Sequence, residues 1–570
     1  MRVLITRRTK LLVPAVIVAV TVVWIIWNRP ARVDLATYVP ADCLAFIGAD
    51  DLPALTGGVE QTEAWRGLAA PLGASASLLP NRWLIAAAKW TGIGSVDALL
   101  AARSQVALVF AQPEASANEQ TLIIKPHAAL IIETHTSQRR MRSTIETHLQ
   151  AFADRVYGQA VLTRRQASDL ELGDWSSSDG KRHIIAAFVD TTVIVGNDEA
   201  TVLHCADVRR GRISSIADTP QLQQLRRQMN PTALVFGYVT NVGVQPLVQA
   251  WVLNRPGITS DQLTYAQLIS KAFSNLIDGF GWTSNFDSLG AHDRCVVLLA
   301  SGVGERLAST IGTTPISASK DLSFVPPDAF SVGTYQIKEP AAFWKELDTA
   351  VAAHSDVLGA VAAHQVLRAV LQPYGIADAN AFFSAIGTRV QMIRLEKDAP
   401  AVLLADTFDR AALRKLAEQR IGAAARVSQI DGAEVMISSD GRWAAFLGDN
   451  FLVGPTEAVQ RCLTTKTNSK SIASVGAFRR ANELVDLSTP ALAINLSLDK
   501  SSAVSFVKLF SRETSSAFLS NAAAIDQASS AIPYSVSVTT VRGDLVEWDS
   551  RSAFGILGSL FTTFGGDSAR

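Results

Sequence analysis

Two stretches of this chain match without a gap, AAFVDTTVIVG from Ala186 to Gly196 and AAFLGDNFLVG from Ala444 to Gly454. Three longer pairs precede this match in the same order in both halves. YVPADCLAFIGADDLPAL, from Tyr38, is echoed by FVPPDAFSVGTYQIKEPAAF, from Phe324. TGIGSVDALLAARSQVALVF, from Thr91, is echoed by YGIADANAFFSAIGTRVQMI, from Tyr374, and HAALIIETHTSQRRMRSTIETHLQ, from His127, by APAVLLADTFDRAALRKLAEQR. The economical reading is a tandem duplication, with a first repeat over 34–320, a second over 321–554 and a C-terminal tail over 555–570. At 570 residues the chain is also too long for one ordinary core.

The matched blocks are spaced more widely in the first repeat. Insertions are expected around LLPNRWLIAAAKW and across TRRQASDLELGDWSSSDG, whose Ser, Asp and Gly content reads as an exposed loop. Runs such as CLAFIGA, SQVALVFA, AALIIETHT, HIIAAFV and TVIVG are strand-like in length and β-branched content. RRMRSTIETHLQAFADRV, AAFWKELDTAVAAH and RAALRKLAEQR place apolar residues three and four apart, as helices do. Short polar turns join successive strands, for example at Asp431-Gly432 and Asp440. Hairpins mixed with helices predict an α+β fold, each repeat a mainly antiparallel sheet with helices packed on one face. The closing FGILGSLFTTFGG is too short to span a membrane and reads as an amphipathic helix docked on the body.

The N-terminus predicts a membrane tether. A basic tail over 1–10 precedes an uncharged apolar run over 11–27, represented by Leu11, Val16, Val20, Trp24 and Trp27. As a helix this run would cross most of a roughly 30 Å hydrocarbon layer. It exceeds a signal-peptide core, no A-x-A cleavage pattern follows it, and its two tryptophans sit where an interfacial aromatic belt would lie. Four basic residues before it, against Arg29 and Arg32 after it, put the N-terminus inside and the bulk of the chain outside the cytoplasm. The expected location is a cytoplasmic membrane, with a single pass. Fifty-two basic and fifty-two acidic residues cancel, so the charge balance gives no reason to expect nucleic acid as a partner.

The repeat also supplies an internal control, because what both copies keep serves the fold. Asp50 and Asp51 have no acidic pair opposite them in the second repeat, and adjacent strand residues point to opposite faces, so they read as helix capping rather than paired catalysts. GIG at Gly92 lacks the third glycine of a dinucleotide loop, and Ser95 and Asp378 read as caps of matching helices. Ser317 to Lys320 and Ser505 to Lys508 fit S-x-x-K without its companion motifs. The eight histidines form no metal-binding spacing, so neither metal nor cofactor is expected. Four scattered cysteines, Cys43, Cys205, Cys295 and Cys462, read as buried small hydrophobes. The arginines around Arg140 and Arg210 read as solvated helix faces. Trp83 and Trp90, seven apart, share one helix face in a stretch the second repeat does without, and are the candidate contact surface.

With the anchor and the VPAD start at Val39 to Asp42 in place, the chain resembles a family of uncharacterised bacterial membrane-anchored proteins with an "lP-x-D" opening and a long extracytoplasmic α+β region. The resemblance implies a bacterial envelope protein and lends no catalytic residue. The leading expectation is a membrane-anchored extracytoplasmic binding or scaffolding protein, with the bilayer as one partner and an envelope protein or glycan as another. The alternatives are an envelope enzyme of hydrolase type, with its site between the repeats, and a lipid-handling protein.

Overall fold

The computed structural model describes residues 31–565 except 80, 119–120, 168, 247–273, 312–320, 356–359, 362–363, 366, 369–370, 398, 422–425, 439–441, 485–490, 499 and 512–520. The basic tail, the apolar run over 11–27 with Trp24 and Trp27, and the Ser317 to Lys320 motif lie outside the described residues. The fold is mixed α+β with a large antiparallel sheet. By compactness the chain divides into unit 1 (1–57, 77–223 and 234–237) and unit 2 (58–76, 224–233 and 238–570).

Unit 1 contains β1 (Ala45–Ala49), β2 (Gln105–Asn118), β3 (Thr121–Glu133), β4 (Val161–Ala167), β5 (Leu170–Ser176), β6 (His183–Val189), β7 (Thr192–Gly196) and the start of β8 (Val235–Thr240). The order β4-β5-β6-β7-β3-β2-β1 is antiparallel throughout, with β8 on the other side of β1. Its helices include the first six residues of α1 (Leu52–Gln61), α2 (Arg82–Thr91), α3 (Val96–Arg103), α4 (Gln138–Tyr157) and α5 (Glu199–Arg209). β6 and β7 form a tight hairpin because Asp190 adopts φ +53°, a left-handed conformation that aspartate tolerates and that matches the strand twist.

Unit 2 contains β9 (Ile277–Asp287), β10 (Gly290–Leu299), β11 (Ser331–Gln336), β12 (Ile386–Arg394), β13 (Val402–Thr407), β14 (Arg426–Ile430), β15 (Ala433–Ile437), β16 (Arg442–Leu447), β17 (Asn450–Pro455), β18 (Ala493–Ser497), β19 (Ser535–Arg542) and β20 (Leu545–Ser552). The order is β14-β15-β16-β17-β13-β12-β11-β18-β19-β20-β10-β9, again antiparallel. Its helices include α6 (Pro340–Ala353), α7 (Ala379–Ala385), α8 (Arg410–Ile421), α9 (Thr456–Asn468), α10 (Gly476–Leu484), α11 (Lys500–Lys508) and α12 (Gly555–Gly565). The closing apolar run is α12: Phe554 just ahead of it and Phe561 within it pack on Phe506 of α11. Asp293 accepts from the Ile556 amide at 2.8 Å, satisfying one of the orphan donors of its first turn.

The seven-strand order of unit 1 reappears in unit 2 as β14-β15-β16-β17-β13-β12-β11, and individual contacts reappear with it. Arg209 lies over the Tyr38 ring at 4.6 Å, and Lys466 over Phe324 at 5.2 Å. His204 stands 3.8 Å from Asp42, and Arg461 bonds Asp328 at 2.5 Å. The Ile216 amide donates to Val39 O and the Ile472 amide to Val325 O, both at 2.9 Å. Glu133 faces Thr192 across β3 and β7, as Asp406 faces Asn450 across β13 and β17.

Two expectations need correction. Helices cover both faces of the sheet, not one. In unit 2, Ala445 and Leu452 pack with Val459, Cys462 and Leu463 of α9, whereas their strand neighbours Ala444, Phe446 and Phe451 pack with Leu413 and Leu416 of α8. In unit 1, α4 covers Ile184, Ala186 and Phe188 of β6. The intervening Ile185 and Ala187, which point the other way, are equally buried. A strand buried on both faces reads as a continuous apolar run, which is what HIIAAFV and WAAFL are. The stretch TRRQASDLELGDWSSSDG is likewise no loop: it forms the β4–β5 hairpin, with Leu172 and Trp175 fully buried, and β14–β15 is its counterpart in unit 2.

Candidate contact surface

The sequence NRWLIAAAKWTGIGSVDALLAAR folds as two short helices meeting at 78°. Alanine, leucine, arginine and lysine favour α2. Gly92, at φ +70°, ends it in the left-handed cap glycine allows, its amide donating to Ala88 O at 2.9 Å. Three residues on, the Ser95 hydroxyl accepts from the Ala98 amide at 3.2 Å and starts α3; Asp378 does the same for α7 through the Ala381 amide. Gly92-Ile93-Gly94 is therefore a helix stop and turn rather than a phosphate loop.

The helix α2 buries a narrow stripe. Ile85 and Ala88 pack on Leu99 and Ala102 of α3 in a small satellite cluster. At about 100° per residue, Trp83 and Trp90 stand within about 20° of each other and roughly opposite that stripe. Trp83 is 72% exposed and Trp90 45%, and Leu84 and Ile93 extend the apolar surface with Ile93 at 68%. Such a patch, rimmed by polar groups, marks an interaction site more often than a single exposed side chain does. Leu84 and Ile93 were missed in the sequence; the left-handed Gly92 beside Ile93 is the signal that could have exposed it. The stretch is also not a simple insertion, since residues 360–361, 364–365 and 367–368 are helical ahead of the Gly375 turn. No tryptophan stands there.

Ionic contacts fix the hairpin in unit 1. The Arg103 guanidinium donates to Ala88 O and Lys89 O, both at 3.2 Å, satisfying carbonyls at the C-terminus of α2. Lys89 Nζ bonds Asp51 Oδ2 at 2.5 Å, and Asp51 Oδ1 accepts from the Ala54 amide at 3.0 Å, capping α1. The incoming chain is held at the same place. Arg32 Nη2 reaches Asp51 Oδ2 at 3.4 Å. Gln105 clamps Val33 through both backbone groups at 2.8 and 2.9 Å and donates to Asp50 at 2.8 Å. Asp50 and Asp51 are thus a tether and a cap.

Other candidates resolve into structural roles. Buried Glu133 accepts from the Thr192 hydroxyl at 2.7 Å and the His135 amide at 3.0 Å, while His135 Nε2 lies 3.0 Å from Gln105 Oε1. Burial pushes the Glu133 carboxyl up, but hydrogen bonds from Thr191, Thr192 and the His135 amide, with the nearby ring, hold it below its ordinary value. Burial likewise lowers His135, against the pull of Glu133. At the same register in unit 2, Asp406 pairs with Arg389, which also bonds Asp321 at 2.9 Å and Asn450 at 2.8 Å. The two register positions hold different chemistry, a Glu–Thr pair in one unit and an Asp–Arg–Asn group in the other.

Among the described residues no His, Cys, Asp and Glu group could hold a metal ion. His127 faces Asp198, His354 bonds Ala350 O and His364 bonds Asp348. All four cysteines are buried, and burial pushes the thiols of Cys205 and Cys462 up to about 12. Arg140 bonds Gly94 O, and Arg210 and Arg212 clasp Asp169. Among the described residues no single helix is long and apolar enough to cross a membrane; α2 and α3 pass by composition only as a bent pair.

No family model matches the chain, and no curated protein matches it. Among solved structures it is similar to one titled "Structure of crystal form I of TP0453", at 9% identity over 47% of this chain and 80% of that chain, with a TM-score of 0.23.

Proposed function

We propose that this protein is a membrane-tethered extracytoplasmic binding or scaffolding module that works through surfaces rather than a catalytic centre, with the α2–α3 hairpin as its contact surface. The carrying observation is the aromatic face of α2, where Trp83 is largely and Trp90 partly exposed on a helix whose buried side packs on α3. The tether is the run over 11–27, with 1–10 inside the cell of a bacterial envelope, as in the anchored family the opening resembles. The body consists of two copies of one unit, the first over 34–320 and the second over 321–554. The shared strand order and the three recurring contacts at Tyr38, Asp42 and Val39 support that origin, because each joins residues far apart in sequence.

The test is photocrosslinking from within the membrane. A benzophenone amino acid at Leu84, carried by the full chain in its host envelope, should give an adduct, whether to lipid or protein. The same probe at Val161, exposed on the outer strand β4, should give much less. Equal yields at the two positions would remove the case for a contact surface.

A further inference from the structure

We propose that the occupant of the aromatic surface is the bilayer itself: the Trp83 and Trp90 face of α2 lies in the headgroup layer of the membrane that the N-terminal run crosses. This names the partner of the surface proposed above and rests on the tether reading. The first support is where the chain enters unit 1. Val33 is clamped by Gln105 and Arg32 reaches Asp51, the carboxylate that also holds Lys89 of α2. Arg32 comes only five positions after Trp27, at most about 18 Å of extended chain. The foot of the hairpin is therefore held near the plane in which the apolar run ends.

The second support is the chemistry of α2. RWLIAAAKWT carries Arg82 and Lys89 and no acidic residue. Its indoles project opposite the buried Ile85 and Ala88. Indole rings, apolar in body with a polar N–H, suit the headgroup region, where an interfacial helix sinks its apolar face about 5–10 Å. The third is shape. Ten residues rise about 15 Å, half of a roughly 30 Å hydrocarbon core, and the chain then turns through 78° into α3, so the element lies on the membrane rather than spanning it. Resting on the bilayer beside the tether, it would fix the orientation of unit 1 against the membrane.

The experiment uses the full chain in vesicles of phosphatidylethanolamine and phosphatidylglycerol. An environment-sensitive fluorophore is attached to Ile93→Cys or, as control, to Val161→Cys, the four native thiols being buried. Quenching by lipids spin-labelled near the headgroup is read, and alkaline extraction is run in parallel. Quenching at position 93 at least about twofold above the control, falling to the control level with Trp83→Ser and Trp90→Ser together, is the expected result. A water-exposed label on a chain that resists extraction overturns the bilayer contact and leaves the tether standing. Extraction by alkali with quenching beforehand sustains the contact and removes the tether; extraction without quenching removes both. Shielding of the label only when envelope proteins are added makes the partner a protein and overturns the inference.

Discussion

Asp51 ties three pieces of chain together: it caps α1, bonds Lys89 of α2 and meets Arg32 at the entry to unit 1. Asp51→Ala should cost about 1–2 kcal/mol, and Asp51→Asn, which keeps a capping oxygen, clearly less; urea unfolding of the two variants decides. Glu133 and His135 give stability a pH dependence of defined sign. Both titrate lower in the folded chain, so the unfolded chain binds the additional proton in each interval. Stability is complete above the ordinary His135 value of 6.5 and falls as acid is added, through His135 first and then through Glu133 below its ordinary 4.5. His135→Asn, whose residue tolerates the φ of +50°, should flatten the first interval and leave the second; unchanged slopes across both would refute the assignment. The caps at Ser95 and Asp378 were legible in the sequence because a cap is a contact across three residues. The Glu133–Thr192 pair was not, because only the β3–β7 pairing brings it together.

At the scale of elements, the strand register sets which substitutions the fold accepts. A Cβ at Gly196, the end of β7, would come within 2.7 Å of Val202 and 2.8 Å of Ala128 O, whereas at Gly454, the matching position of β17, the nearest atoms are at 3.1 and 3.3 Å. Gly196→Ala should therefore cost about 1–3 kcal/mol and Gly454→Ala less, read by hydrogen exchange in the β7 and β17 segments. Trp83→Ser should change stability by no more than about 0.5 kcal/mol, since its side chain is 72% exposed and lies outside the buried stripe. Strands and hairpins were readable from β-branched runs and Asp-Gly turns. The covering of both faces was also written there, in runs such as HIIAAFV that leave no polar side. The β4–β5 hairpin was hidden by polar residues on an outer strand, where solvent accepts arginine and glutamine at alternate positions.

Over the whole molecule, the matched order of elements was the part most open to sequence reading, because each pair of similar sequence blocks covers an intact strand or helix with its turn. The compact units were less so. Unit 2 takes in β9 and β10, which precede residue 320, because β10 pairs with β20, and no local pattern announces a pairing between residues some 250 apart. Burial makes the four cysteines silent in the native chain, so a thiol reagent should label none before unfolding and all four afterwards. That silence permits a direct test of the tethered, outward-facing account. Phe408 is 80% exposed, so Phe408→Cys supplies one accessible thiol at little cost to the fold. In intact cells stripped of any outer barrier, a membrane-impermeant maleimide should label the Phe408→Cys full chain at once, in the membrane fraction. Labelling only after the cytoplasmic membrane is opened would contradict the account.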